Sequence, residues 1–118
     1  MMQVYLSGPM SGIPQFNYPA FAEATARLRE HGYLVYSPHE RLTNERAPTQ
    51  TELRSAFADY SRYICLQADL VVVLPGWEHS KGATTEVGLA MNCGLMVLRY
   101  EKVDPLVALL DREFVEAL

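Results

Sequence analysis

The sequence predicts one α/β domain built around a parallel sheet, and three observations support this. Short apolar runs alternate along the chain with segments of helical periodicity, as in βαβ units. The run Leu70–Leu74 is apolar throughout, as expected of a strand covered by helices on both faces. The 118 residues are enough for one core and too few for a second domain. We therefore expect a single domain over residues 1–118, a three-layer Rossmann-like or flavodoxin-like fold with about four or five strands.

Four apolar runs are the candidate strands. Pro38 closes the second run because proline cannot continue a hydrogen-bonded ladder, and Gly94 can end a helix just before the fourth. The predicted strands are Gln3–Ser7, Tyr33–Ser37, Leu70–Leu74 and Leu95–Tyr100.

Helical segments separate these runs. The first is predicted from Tyr18 to about His31, with Pro19 near the first helical position. The second begins after Thr49, whose spacing to Glu52 is that of a capping box, and ends at about Gln67. The third covers roughly residues 82–92, and a last helix with an apolar stripe begins near residue 104. The polar stretch 38–50 is predicted to be mobile and able to close over a site.

Composition and charge limit the function classes. The net charge of −4 and pI near 5.3 argue against binding of duplex nucleic acid and favour a small ligand. The longest apolar runs are too short to span a bilayer, and the first residues lack the pattern of a secretory signal. Cys65 and Cys93 are not part of a CxxC pair, which favours a reduced, cytoplasmic protein. The three histidines are far apart, so we expect no metal site. We also expect no cofactor.

Two loops are candidates for ligand binding. Ligands of open α/β sheets bind beyond the carboxyl ends of the strands, where loops meet helix amino termini. The segment 7–12 follows the first strand, and the segment 75–83 follows the third. Both combine glycines with hydroxyl groups suited to sugar or phosphate oxygens, although a tight turn after a strand is the simpler explanation of either loop.

Glu86 is the candidate reactive group. On a helix that starts after Ser80, Glu86 shares a face with Ala83, Val87 and Ala90, so a carboxyl group lies within an apolar stripe. Such a group is suited to act as a nucleophile or a base, or to pair with an arginine or a backbone donor.

Several segments together resemble the nucleoside 2-deoxyribosyltransferase family and the related 2′-deoxynucleoside 5′-phosphate N-hydrolases. The resemblance covers residues 3 to about 100 and is closest to a short branch marked by Leu74–Glu78 and Ser80–Ala83. The matching segments are Val4-Tyr5-Leu6-Ser7-Gly8-Pro9, Ala68-Asp69, Ser80-x-Gly82-x-x-x-Glu86-x-Gly88-x-Ala90 and Gly94.

The resemblance implies nucleophilic catalysis at an anomeric carbon. Glu86 matches the family nucleophile, which forms a glycosyl-enzyme ester, and Tyr5 matches the tyrosine that orients it. Asp59 is the candidate proton donor to the leaving base, although Tyr60 and Ser61 lie nearer the family register. The candidate substrate-binding residues, some given by the resemblance and some by the two loops, are Ser7, Gly8, Pro9, Met10, Asn17, Asp69, Gly76, Trp77, Ser80, Gly82 and Ala83.

Structural roles compete with several of these assignments. Asn17 and Ser80 also suit helix capping, Trp77 suits a buried loop anchor, and Asp69 suits the start of a strand or a second acid. Without an acid on the second helix, a nucleotide-binding or sensing module that does not cleave its ligand is the alternative to an N-glycosidase or deoxyribosyltransferase. The resemblance also implies a homodimer or higher homo-oligomer. From the short apolar runs we expect no membrane partner.

Overall fold

A four-stranded parallel sheet is the centre of the fold in the computed structural model, which describes residues 2–42 and 45–100. The strands are β1 (Gln3–Ser7), β2 (Leu34–Tyr36), β3 (Leu70–Val73) and β4 (Met96–Arg99). The helices are α1 (Tyr18–Glu30), α2 (Gln50–Leu66) and α3 (Lys81–Asn92). The predicted three-layer α/β fold is confirmed. No helix in the described ranges is long and apolar enough to cross a membrane.

The strands differ from the predicted ones only at their ends. β1 has the predicted bounds, whereas β2 is shorter because the backbone N–H of Tyr33 bonds to the carbonyl of Leu28 in the turn after α1. Ser37 already begins a short 3₁₀ turn, Pro38–Glu40. Arg29 on α1 anchors this turn through two 2.8 Å hydrogen bonds to Glu40. The predicted helix near residue 104 lies outside the described residues, and closure of segment 38–50 over a site stays a prediction.

Side chains cap the amino termini of α2 and α3. The predicted capping box of α2 is confirmed, because the Thr49 hydroxyl accepts from the Glu52 N–H and the Glu52 carboxylate accepts from the Thr49 N–H. Ser80 caps α3 by accepting a 3.1 Å hydrogen bond from the Ala83 N–H. Both helix amino termini are thereby fixed at the same edge of the sheet.

The order of the strands is β2-β1-β3-β4, so the chain moves outward in opposite directions from β1 and from β3. α1 packs on the face that carries Val4 and Leu6, whereas α2 and α3 pack on the face that carries Tyr5. Because side chains alternate along a strand, Ser7 points to the same face as Tyr5, toward α3. β1 and β3 form the point at which such sheets leave a crevice between their outgoing loops.

Gly8 lies where the loop after β1 passes directly over β3. A Cβ atom added at Gly8 would lie 2.9 Å from the Cβ of buried Leu74. We expect Gly8→Ala to lower the free energy of unfolding by about 1–3 kcal/mol. The contacted atom, Leu74 Cβ, is bonded directly to the backbone, so it cannot move away without a shift of the backbone itself. Gly88→Ala is the matched control, since nothing lies within 4 Å of that position on α3.

Urea unfolding of the two variants measures the difference. In the control, replacing a helical glycine by alanine should raise the free energy of unfolding by up to about 1 kcal/mol. Equal effects of the two substitutions would contradict the close packing at Gly8.

Candidate active site

A cavity of about 500 Å³ opens at the carboxyl ends of β1 and β3. Its size falls within the range of small-molecule sites. The loop after β1, the start of α3 and the first half of α2 form its walls, and the segment after β2 contributes Pro38 and Leu42. The predicted site residues that line it are Gly8, Met10, Ser80, Gly82, Ala83 and Glu86.

Glu86 presents a buried carboxyl group to this cavity. It lies on α3 one turn after Ala83 and beside Val87, and only 7% of the residue is exposed. The Ser7 hydroxyl donates a 2.7 Å hydrogen bond to Glu86 Oε1. Ser7 itself is fully buried, so the last residue of β1 holds the carboxyl group of α3 in place.

Burial raises the pKa of Glu86 to about 7, because the charged form loses its water. The hydrogen bond from Ser7 and the nearby Tyr5 hydroxyl act in the opposite direction and lower this pKa. Glu86 therefore changes charge close to neutral pH, where a carboxyl group in water would be fully ionised.

Tyr5 stands beside Glu86 in a cluster of tyrosine rings. Its ring centroid lies 5.7 Å from that of Tyr36, 6.0 Å from that of Tyr60 and 6.3 Å from that of Tyr63. The buried hydroxyls of Tyr5 and Tyr60 make no hydrogen bond of standard geometry. Burial and the neighbouring carboxyl group raise the pKa of Tyr5, so its phenol stays protonated and available as a donor.

The first half of α2 forms an apolar wall that was not predicted from the sequence. Leu53, Ala56, Phe57 and Tyr60 line the cavity at positions i, i+3, i+4 and i+7 of one helical face. Leu53 and Phe57 are 44% and 42% exposed, which is high for such large apolar side chains. The same spacing was visible in the sequence, but periodicity alone does not distinguish a core stripe from a ligand-binding wall.

The loop after β1 closes the cavity with a turn of unusual backbone. Gln15, Phe16 and Asn17 all have positive φ angles, of 55°, 53° and 62°. The Asn17 side chain does not cap α1. Instead its amide donates a 2.9 Å hydrogen bond to the Pro9 carbonyl, which ties the two ends of the loop together. Pro9 and Asn17 thereby position Phe16, another cavity residue, without lining the cavity themselves.

Asp59 is not brought to the cavity. It precedes Tyr60 on α2, and successive residues of a helix are rotated by about 100° around the helix axis. Asp59 therefore lies on the exposed side of α2. There its carboxylate pairs with Arg41 at 2.8 Å and is about half exposed. Tyr60 occupies the position on α2 that faces the cavity.

Three further predicted residues lie elsewhere. Asp69 precedes β3 at its amino end, opposite the cavity, and accepts a 2.7 Å hydrogen bond from the Gln3 N–H. Trp77 is buried in the core with Val87 and does not stack in the cavity. Gly76, with φ of 86°, approaches Pro9 and makes the turn before Trp77.

The cavity carries little charge. Among the described lining residues, Glu86 is the only acid and there is no lysine or arginine. No group of three or more histidine, cysteine, aspartate or glutamate residues in residues 2–42 and 45–100 could hold a metal ion.

Comparisons with known proteins agree with this architecture. A family model described as "Domain of unknown function (DUF4406)" matches residues 2–99. No curated protein sequence matches the chain significantly. Among solved structures, a 2-deoxyribosyltransferase from Bacillus psychrosaccharolyticus superposes with a TM-score of 0.64 at 22% identity, covering 82% of this chain and 70% of that one.

Two other solved structures are similar. A conserved protein from Enterococcus faecalis V583 has a TM-score of 0.57 and 22% identity, over 87% of this chain and 65% of its own. The CMP N-glycosidase BcmB from Clostridium botulinum has a TM-score of 0.52 and 18% identity, over 98% of this chain and 87% of its own. These likenesses show a shared fold, which confirms the fold that the sequence resemblance implies.

The buried carboxyl group of Glu86 predicts a specific pH dependence of stability. Its pKa is higher in the folded protein than the ordinary value of 4.5, so its contribution to stability is present below about pH 4.5 and lost as pH rises through about 7. We expect Glu86→Gln to be more stable than wild type at pH 8, by roughly 2–3 kcal/mol, with a much smaller difference at pH 4.5.

Denaturant unfolding at both pH values measures this difference. Glu23→Gln, on the exposed surface of α1, is the control and should keep the pH dependence of wild type. An equal effect of Glu86→Gln at pH 4.5 and pH 8 would show that the carboxyl group is not held in a desolvated site.

Proposed function

The chain belongs to the DUF4406 family, and we propose that it cleaves the N-glycosidic bond of a nucleoside or nucleoside 5′-monophosphate through a covalent intermediate on Glu86. The observation that carries this proposal is a carboxyl group, buried yet open to a cavity of about 500 Å³ and held by a hydroxyl from the neighbouring strand. The fold shared with a deoxyribosyltransferase and a CMP N-glycosidase supports the same reaction class.

In this mechanism the Glu86 carboxylate attacks the anomeric carbon of the sugar. Ser7 holds Oε1, which leaves Oε2 to form the ester bond. The carbon–nitrogen bond breaks, and the base leaves with the bonding electrons and takes up a proton from solvent. Water or a second base then attacks the same carbon, releases Glu86 and yields a free sugar or a new nucleoside. Tyr5, whose protonated hydroxyl is buried beside Glu86 without a hydrogen bond of standard geometry, is the group we assign to orient the carboxylate during the reaction.

The charge of the cavity favours the uncharged nucleoside over its 5′-monophosphate. No described lining residue is a cation, and an ionised Glu86 repels a second anion. A phosphate would depend on the backbone N–H groups at the start of α3. The apolar wall on α2 and the ring of Phe16 are suited to the faces of a base.

The first test is an assay of base release from a panel of ribonucleosides, deoxyribonucleosides and their monophosphates, with and without an acceptor base. Glu86→Gln should abolish release, because an amide is a poor nucleophile, whereas Glu23→Gln should retain it. For wild type, kcat/KM should rise with pH through about 7, since only the ionised carboxylate attacks. Retention of release by Glu86→Gln would exclude the covalent mechanism, and a new nucleoside formed with the acceptor base would identify a transferase.

A second test concerns the apolar wall. Phe57→Ala should raise KM by about tenfold with little loss of stability, because its exposed ring contacts ligand more than core. Leu66→Ala, at the opposite end of the same helix and 77% exposed, is the control and should leave KM unchanged. Parallel changes in both variants would mean that α2 does not form the binding wall.

A non-catalytic nucleotide-binding module is the second candidate. The observation that favours it is the position of Asp59, which pairs with Arg41 outside the cavity. Among the described lining residues, only Glu86 is then an acid that could protonate the departing base. Thermal stabilisation by a nucleoside that persists in Glu86→Gln, together with no base release from any compound of the panel, would select this alternative.

A further inference from the structure

Cys65 and Cys93 meet at the surface although they are 28 positions apart in the chain. Cys65 lies in the last turn of α2, and Cys93 directly follows α3. The Cys93 thiol is 3.8 Å from the Cys65 sulfur, and both residues are exposed and in the free thiol form. Nothing in the proposed nucleoside chemistry uses them.

The architecture explains this pairing. α2 and α3 both start at the cavity and run along the same face of the sheet, so their carboxyl ends meet at the opposite edge. Ile64 is buried just before Cys65, and the backbone N–H of Cys93 bonds to the carbonyls of Leu89 and Ala90. Both backbones are thus fixed, while the two side chains remain free to rotate.

We propose that Cys65 and Cys93 are a redox-sensitive pair that forms a reversible intramolecular disulfide on exposure to a peroxide. A disulfide requires the sulfur atoms to approach to about 2.05 Å, a further movement of roughly 1.8 Å that rotation about the exposed side-chain bonds can supply. Once one of two thiols this close has been oxidised, the other attacks it faster than a thiol of a second molecule does, because its effective concentration is high.

The chemistry balances with hydrogen peroxide as the oxidant. One thiolate attacks a peroxide oxygen, which gives a sulfenic acid and, after protonation, one water molecule. The second thiol then displaces the sulfenic oxygen as another water molecule and forms the sulfur–sulfur bond. Two thiols are oxidised, one peroxide is reduced, and a dithiol reductant reverses the change.

The position of the bridge determines its effect. It links α2 to α3 at the ends away from the cavity, so the cavity walls at Phe57 and Glu86 keep their places. The bridge closes a loop that contains β3 and all of α3, which restricts the unfolded chain more than the folded one. Oxidation is therefore expected to stabilise the fold while leaving ligand binding intact.

Treatment of the protein with peroxide, followed by intact mass spectrometry and thermal unfolding, tests the proposal. The mass of wild type should fall by that of two hydrogen atoms. On a non-reducing gel it should run as a monomer, like the untreated sample. Its unfolding temperature should rise by about 10 °C. Dithiothreitol should reverse both changes. Cys65→Ser and Cys93→Ser, both conservative exposed substitutions, should each abolish the rise in unfolding temperature.

Other outcomes would overturn the proposal. Oxygen addition to the thiols without a bridge would show that the two sulfurs cannot approach, and peroxide-induced disulfide dimers would show pairing between molecules. An equal rise in unfolding temperature for either serine variant would place the oxidation at another residue.

Discussion

The hydrogen bond from Ser7 to Glu86 is the contact on which the site depends. It joins the end of β1 to the middle of α3 and gives a buried carboxyl group a partner that carries no charge. A lysine or arginine in the same place would neutralise the carboxylate and keep it ionised, but a hydroxyl only partly offsets the lost hydration. The fold therefore holds a group that is costly to ionise, and the surrounding apolar core supplies the stability that this requires.

The order of the strands creates the cavity and places its buried carboxyl group beside the end of β1. β1 and β3 are adjacent while their helices leave on opposite faces, so the loops after them separate and leave a cavity. The alternation of side chains along β1 turns both Tyr5 and Ser7 toward the face that α3 covers. One strand thus supplies the hydroxyl that binds Glu86 and the phenol that stands beside it.

Sequence reasoning predicted the elements well because each depends on local chemistry. Residues close together in the sequence determine the capping box at Thr49, the glycines that end helices and the continuous apolar run of β3. The apolar stripe around Glu86 likewise correctly indicated the burial of this residue. Relations between elements could not be predicted in this way. The exposed position of Asp59 depends on the rotational phase of α2, Asp69 lies at the amino end of β3 away from the cavity, and the contact of Cys65 with Cys93 depends on the packing of two helices.

The left-handed turn at Gln15, Phe16 and Asn17 has a consequence for how the cavity can change. This conformation is disfavoured by about 1–2 kcal/mol for residues such as Gln15 and Phe16, whereas asparagine adopts it more readily. The hydrogen bond from Asn17 to the Pro9 carbonyl helps to hold the turn in this shape. The inner walls of the cavity are part of the hydrophobic core. Its entrance is formed by a turn whose backbone conformation is unfavourable. Substitutions in this turn can reshape the entrance for a different molecule without disturbing the framework beneath, which gives the scaffold a route to new ligand preferences.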